Sequence, residues 1–160
     1  VITMVQECRE AITIITPYFI PDEVLFRSLI VKAKNGRKVK IILPEHSNHV
    51  LADLARNHFV RQLHAAGADI RFHQKGVVHA KLMIVDECAL IGSANIDLRS
   101  LFVNFEIGLL HRTPGDVSAL KDWVGRVEAD CLSFSDARRV KSTRPRRLAE
   151  DFSHLLIPLL

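Results

Sequence analysis

Leu82, Met83, Ile84 and Val85 are apolar at four consecutive positions. Side chains along a strand alternate between its two faces, so such a strand buries both and needs a covering layer on each side. The segment KVKIILP (38–44) has the same character and is closed by a proline. AITIIT (11–16) is a shorter β-branched run ended by Thr16 and Pro17. Helical patterns separate these runs. Residues 1–10 precede the first, Asp22 or Glu23 opens a helix over 23–34 with Asn35 and Gly36 as its stop, and 50–66 is a second helix stopped by Gly67. DIRFH (69–73) alternates like a strand. The strand at 79–86 and CALIGS (88–93) then form a hairpin through Asp86 and Glu87, a helical turn follows near 97–101, and NFEIGLLH (104–111) precedes an amphipathic helix over 116–130. Strands alternating with helices, then consecutive strands, predict an α/β fold with a mixed β-sheet flanked by helices.

The apolar strand carries charge at its ends. The full stretch reads HAKLMIVD, with His79 and Lys81 before the apolar residues and Asp86 after them. Burying an ammonium or a carboxylate is costly unless it is paired. At a spacing of two, His79 and Lys81 project from one face, about 7 Å apart. They repel each other if both are cationic, and an anion between them removes the repulsion. A phosphate fits: Lys81 supplies charge and His79 a group that titrates near neutral pH. In GSAN (92–95), Ser93 and Asn95 share a face and offer neutral donors for the remaining phosphate oxygens. Glu106 is a lone carboxylate in an apolar segment; paired with His79, it would fix the imidazole's tautomer. Asp86 lies at the far end of the strand, where capping of the turn or pairing with a basic neighbour is expected.

Composition narrows the partners. The 160 residues are 48% hydrophobic, enough for one core, and 22 Lys+Arg against 18 Asp+Glu give a net charge of +4. That favours anionic partners, among them nucleic acid, anionic lipid and phosphate esters. Cys8, Cys88 and Cys131 are odd in number and far apart, and are expected as buried free thiols in a reducing compartment. No apolar run approaches the ~18 residues of a membrane span, and no signal peptide is read at the start. Because the chain opens on Val1 rather than Met, it is expected to be a fragment of something longer. The H-x-x-H of His46 and His49 has no evident third ligand; Asn48 and His49 are better placed in a loop over the carboxyl end of the preceding strand, lining the same phosphate site. Arg99 is open to a scaffold ion pair or to a place in the phosphate pocket.

HAKLMIVD matches the H-x-K-x-x-x-x-D motif of the phospholipase D superfamily, followed as in that family by G-S-A-N and an N-x-E strand. TPYFIPDE (16–23), GSANIDLRS (92–100) and NFEIGLL (104–110) resemble the C-terminal half of bacterial cardiolipin synthases. The resemblance implies a phospholipase D-like catalytic domain over 1–137 and a basic linker with an amphipathic tail over 138–160. It implies catalytic roles for His79, Lys81, Asp86 and Glu106, with Ser93 and Asn95 binding the substrate phosphate, and no metal or organic cofactor. The family reaction uses two such motifs across one phosphate: one histidine attacks phosphorus, and the other protonates the leaving alkoxide. The second motif's histidine is the acid in two-motif relatives. His79 would then protonate the leaving glycerol, with attack as the other role open to it. This chain carries one motif, so the resemblance implies a homodimer or a missing N-terminal half.

The implied reaction joins two phosphatidylglycerols into cardiolipin and releases glycerol at the cytoplasmic face of a bacterial cell membrane. The basic run RRVKSTRPRR (138–147), beside a leucine-rich tail, suits an anionic bilayer surface at ~1 kcal/mol per basic residue. Two rivals stand beside this reading. One is a homodimeric phosphodiesterase, a phospholipase D or a nuclease, which would take nucleic acid as partner. The other is a half-site that binds headgroups without turnover. Against the nuclease, no aromatic residues interleave with basic ones to stack bases.

Overall fold

The computed structural model of the chain describes residues 1–137. Its elements run α1 (Ile2–Glu7), β1 (Ala11–Ile15), β2 (Phe19–Ile20), α2 (Glu23–Lys34), β3 (Lys38–Pro44), α3 (Val50–Ala65) and β4 (Asp69–His73). They continue as β5 (Leu82–Val85), β6 (Cys88–Gly92), β7 (Ile96–Asp97), α4 (Leu98–Phe102), β8 (Gly108–His111), α5 (Pro114–Glu128) and β9 (Cys131–Ser133). Seven strands form one sheet in the order β8-β6-β5-β1-β3-β4-β9, and β2 pairs with β7 separately. β1, β3 and β4 are mutually parallel, whereas β5, β6, β8 and β9 are joined antiparallel. This is the mixed sheet the sequence predicts.

The period-two alternation assigns the faces. Ile12 and Ile14, Val39, Ile41 and Leu43, Ile70 and Phe72, and Met83 and Val85 lie in one core with Val5, Leu25, Leu29, Phe59 and Leu63 of α1, α2 and α3. The intervening positions Ile15, Ile42, Leu82 and Ile84 join Val117 and Val124 of α5 in a second core. Each fully buried Ile or Leu contributes about 1.5–3 kcal/mol, so runs apolar on both faces are what the two helical layers require. The Asp22 carboxylate caps α2, accepting the N–H groups of Val24 and Leu25 at 3.0 and 3.4 Å. Gly36, at φ +76°, ends it in the left-handed region.

Four expectations need correction. The strand expected over 79–86 is confined to its apolar run, β5 at Leu82–Val85, because Pro17 follows soon after Ile15 and takes the neighbouring chain out of the sheet. The ladder therefore ends at Ile15 opposite Leu82, and residues 79–81 stand beyond it. NFEIGLLH is a strand only from Gly108, because Ser93 holds the preceding residues as a loop. The last helix starts two residues early, with Pro114 in its first turn, where a missing N–H costs nothing. Of the thiols, which are all free, only Cys8 is buried; Cys88 and Cys131 are half-buried. β2, β7 and β9 were not expected. Residues 138–160, with the expected linker and tail, lie outside the described residues.

Asp86 ties two ends of the molecule together. It occupies the β5–β6 turn at φ 51°, a conformation that Asp tolerates. Its carboxylate accepts the N–H groups of Arg9, Glu10 and Ala11 at 2.8–2.9 Å, and the Cys8 thiol donates to it at 3.7 Å. These contacts tie Asp86 to the backbone amides leading into β1, not to its own turn or to a basic side chain as expected, and they show no contact with His79 or Lys81 for the catalytic role that the resemblance implied. Burial pushes this carboxyl up, and the three amides with the thiol outweigh it, leaving it below its ordinary value.

Candidate active site

Just beyond the β1–β5–β6 ladder, Gly92 donates its N–H to the Lys81 carbonyl at 3.1 Å, fixing the chain as it leaves the sheet. A Cβ on Gly92 would lie 2.4 Å from the Ile107 carbonyl oxygen, so this crossing requires glycine. The Lys81 ammonium turns back on His79, 3.2 Å from Nδ1, 3.4 Å from Nε2 and 3.0 Å from its carbonyl oxygen. His79 is exposed and Lys81 half-buried. The two side chains converge as expected, although from an extended segment and not from a strand face. An ammonium only donates, so of the two ring nitrogens only one that carries no proton can accept from it. A second positive charge on His79 would require an anion close by. Burial lowers the Lys81 pKa from its ordinary value, opposed by the carboxylates of Glu106 and Asp97.

Glu106 accepts the Ser93 hydroxyl and, at 3.4 Å, the Asn104 amide. No hydrogen bond or ion pair joins it to His79 among the described residues, so the expected pairing is not formed in this structure. The Ser93 bond, more than any other, holds the Glu106 carboxyl below its ordinary value, and Asn104, Ser100 and Lys81 add to the effect against desolvation. Ser93 also accepts the Ile107 N–H at 3.0 Å. Asn95 is half-buried, and its Oδ1 is buried without a hydrogen-bond partner among the described residues.

Two cavities meet here. The smaller, about 200 Å³, is lined by Lys81, Asn95 and Glu106 among others. The larger, about 510 Å³, is lined by Tyr18, Asn48, His49, Asn95, Asp97 and Arg99, with an apolar wall that includes Ile20 and Leu51. Asn48 and His49 therefore line this larger cavity and not, as expected, the one that Lys81 lines, and Arg99 stands with them. The sequence reading missed Asp97 and Asn104. Asp97 sits two residues before Arg99 at the start of α4, where its Oδ1 accepts the Ser100 N–H at 2.7 Å, a capping position that hides its electrostatic part. Asp86 is at the opposite end of β5. No group of three or more His, Cys, Asp and Glu converges to hold a metal among the described residues.

This geometry predicts the behaviour of Lys81→Met. Charge-assisted hydrogen bonds contribute about 1.5–3 kcal/mol, so the variant is expected to bind sulfate, phosphate or vanadate roughly tenfold or more weakly in calorimetric titration. Its melting temperature is expected to stay equal or rise, because the charge that burial disfavours has gone. Unchanged anion affinity would mean that Lys81 does not hold the anion.

Comparison with known proteins agrees with the fold and names the family. The family described as "Cardiolipin synthase, PLD-like domain" matches residues 1–127. Cardiolipin synthase A of Shigella dysenteriae is 36% identical over 99% of this chain and 33% of its own length. The chain spans about a third of the curated relatives it matches. Among solved structures, Nuc of Salmonella typhimurium, a phospholipase D family member, superposes with a TM-score of 0.71 at 18% identity, covering 82% of this chain and 86% of Nuc. Phosphatidylserine synthase of Haemophilus influenzae does so with a TM-score of 0.76 at 17% identity, covering 99% of this chain and 44% of that one. With the family matched over residues 1–127 and relatives 34–36% identical over nearly the whole chain, the chain belongs to the cardiolipin synthase family of phospholipase D-like domains.

Proposed function

We propose that the chain is one half of a phosphatidyltransferase site of cardiolipin synthase type, an enzyme joining two phosphatidylglycerols with release of glycerol. The observation that carries this reading is the convergence of the Lys81 ammonium, which lines one cavity with Asn95 and Glu106, on an exposed His79 imidazole. A catalytic histidine standing at the surface suits a substrate phosphate clamped between two such groups.

In the proposed reaction one imidazole attacks phosphorus, forming a P–N bond as the P–O bond to glycerol breaks. The facing imidazolium gives its proton to the departing alkoxide and is left neutral. The hydroxyl of a second phosphatidylglycerol then attacks, passing its proton to that neutral imidazole while the P–N bond breaks. Lys81 neutralises the non-bridging oxygens. His79 takes the acid–base part and the partner's histidine the nucleophilic part, with the roles exchanged in a symmetric pair. Ser93 and Asn104 orient Glu106, whose charge faces Lys81.

The second histidine must come over a margin that is unusually apolar. Phe102, Val103, Phe105, Ile107, Leu109 and Leu110 are all at least half exposed, and among the described residues β8 is an edge strand of the sheet. Exposed patches of this kind mark association surfaces. Ile107 lines the same cavity as Lys81, so a partner covering this margin reaches the site. The partner is a second copy of the chain or the remaining part of a longer relative. The lipid substrate places the site at a membrane surface, for which the cytoplasmic face is proposed. No helix among the described residues is long and apolar enough to cross a membrane.

Incubating the chain at high concentration with phosphatidylglycerol vesicles, and separately with single-stranded DNA, tests the substrate class. Cardiolipin and free glycerol are expected in the first and no cleavage in the second. Cleaved DNA with intact lipid would replace the transferase by the phosphodiesterase reading.

A further inference from the structure

The 510 Å³ groove is larger than a single phosphate requires, and its lining differs from that of the anion site. Lys81 and Glu106 line the smaller cavity only, whereas the groove is walled by groups that recognise hydroxyls. The Tyr18 hydroxyl donates to Asn48 Oδ1, and the Tyr18 and His49 rings lie 5.7 Å apart. Phenol, amide and carboxylate side chains of this sort suit a vicinal diol, which both donates and accepts. Arg99 is the single Lys or Arg in the lining. It is exposed, and its guanidinium makes no hydrogen bond or ion pair with the described residues. Val50 and Leu51, 71% and 52% exposed, form an apolar rim.

Asn95 joins the two cavities, lining both, and its buried carbonyl oxygen lacks a donor among the described residues. A phosphodiester has no proton to offer that oxygen; an alcohol has. Asp97, which lines the groove, is also close enough to Lys81 to act on its charge. Asn95 and Asp97 therefore stand between the groove and the cavity that Lys81 lines.

Resting on the phosphatidyltransferase reading, we propose that this groove is the acceptor subsite. It takes the glycerophosphate head of the second lipid, with the diol against Tyr18, Asn48 and Asn95, the phosphate against Arg99, and the lipid portion leaving past Val50 and Leu51. Arg99 and Tyr18 then determine which alcohol accepts the phosphatidyl group, separately from the residues that cleave the donor.

The chain contains a single tyrosine, so ring-labelled tyrosine gives one NMR signal that reports the groove. The probe is glycerophosphoglycerol, the water-soluble head of phosphatidylglycerol, with glycerol and inorganic phosphate as separate arms. Glycerophosphoglycerol is expected to shift the Tyr18 signal saturably. Glycerol or phosphate alone should do so at least about tenfold more weakly, since each keeps only part of the contacts. Arg99→Gln should weaken the shift by a similar factor with an otherwise unchanged spectrum, Asn48→Ala should weaken it independently, and His79→Asn should leave it in place. Loss of the shift in His79→Asn, or a still Tyr18 signal while labelled histidine reports the probe at His79, would overturn the subsite and leave the transferase reading standing. A probe that moves neither signal would remove both. Equal response to phosphate alone would overturn the diol assignment, making the groove a second anion site.

Discussion

His79→Asn is expected to fold as the parent does and to lower phosphatidyl transfer by about 10²–10⁴-fold, the usual contribution of a positioned proton-transfer group. The imidazole is exposed and packs into neither core, so its replacement leaves no cavity, and asparagine neither titrates nor forms a stable bond to phosphorus. The loss should appear in cardiolipin formation from vesicles, with an unchanged melting temperature. Activity within about tenfold of the parent would remove His79 from the chemistry, because a bystander's substitution has that size of effect.

Asp86→Asn is expected to act on the fold instead. Asparagine tolerates the left-handed backbone at this turn, so the change isolates the carboxylate from the conformation. Its amide turns an N–H donor toward one of the backbone donors of Arg9, Glu10 and Ala11 and removes the charge that faces the others. Hydrogen bonds to charged groups contribute about 1.5–3 kcal/mol, and solvent discounts part of this at a half-exposed turn, so a loss of about 2 kcal/mol is expected at pH 7. The pH dependence has a definite sign. The folded carboxyl lies below its ordinary value, so its stabilisation is present above the unfolded value of about 3.9 and is lost as pH falls through the folded one. Urea unfolding of parent and variant should therefore differ at pH 7, with the difference shrinking as the pH falls below the unfolded value of about 3.9. A difference that persists in acid would assign the loss to packing.

The two layers and most of the strands were legible because they rest on local pattern. Apolar runs on both faces of 38–44 and 82–85 required covering helices, and Asp22 and Gly36 bounded α2 by capping chemistry. What was not legible depends on residues distant in sequence. Pro17 ends β1 opposite Leu82 and so leaves His79 and Lys81 beyond the strand expected to carry them, a consequence visible only once β1 and β5 are paired. Asp86 finds partners 75 to 77 residues back, which no spacing encodes. β2, β7 and β9, at two or three residues each, have too few side chains to show an alternation. The site shows the same division. His79 and Lys81 meet because they are two residues apart, whereas Glu106 is claimed by Ser93 across a loop crossing permitted by Gly92. The lining of the larger groove is drawn from three separate stretches, near 18–20, 48–52 and 95–104, and only its fragments could be read in advance.

A single His79 cannot both attack phosphorus and stand opposite as the acid, so the chain alone should turn over only as a pair. The direct measurement is cardiolipin formation per chain from phosphatidylglycerol vesicles across a range of chain concentrations, with sedimentation at the same concentrations. Turnover per chain is expected to rise in step with the dimer fraction, and Phe105→Lys and Leu109→Lys, which charge the exposed apolar margin, should lower both together. Constant turnover per chain where sedimentation finds only monomers would contradict the two-histidine mechanism.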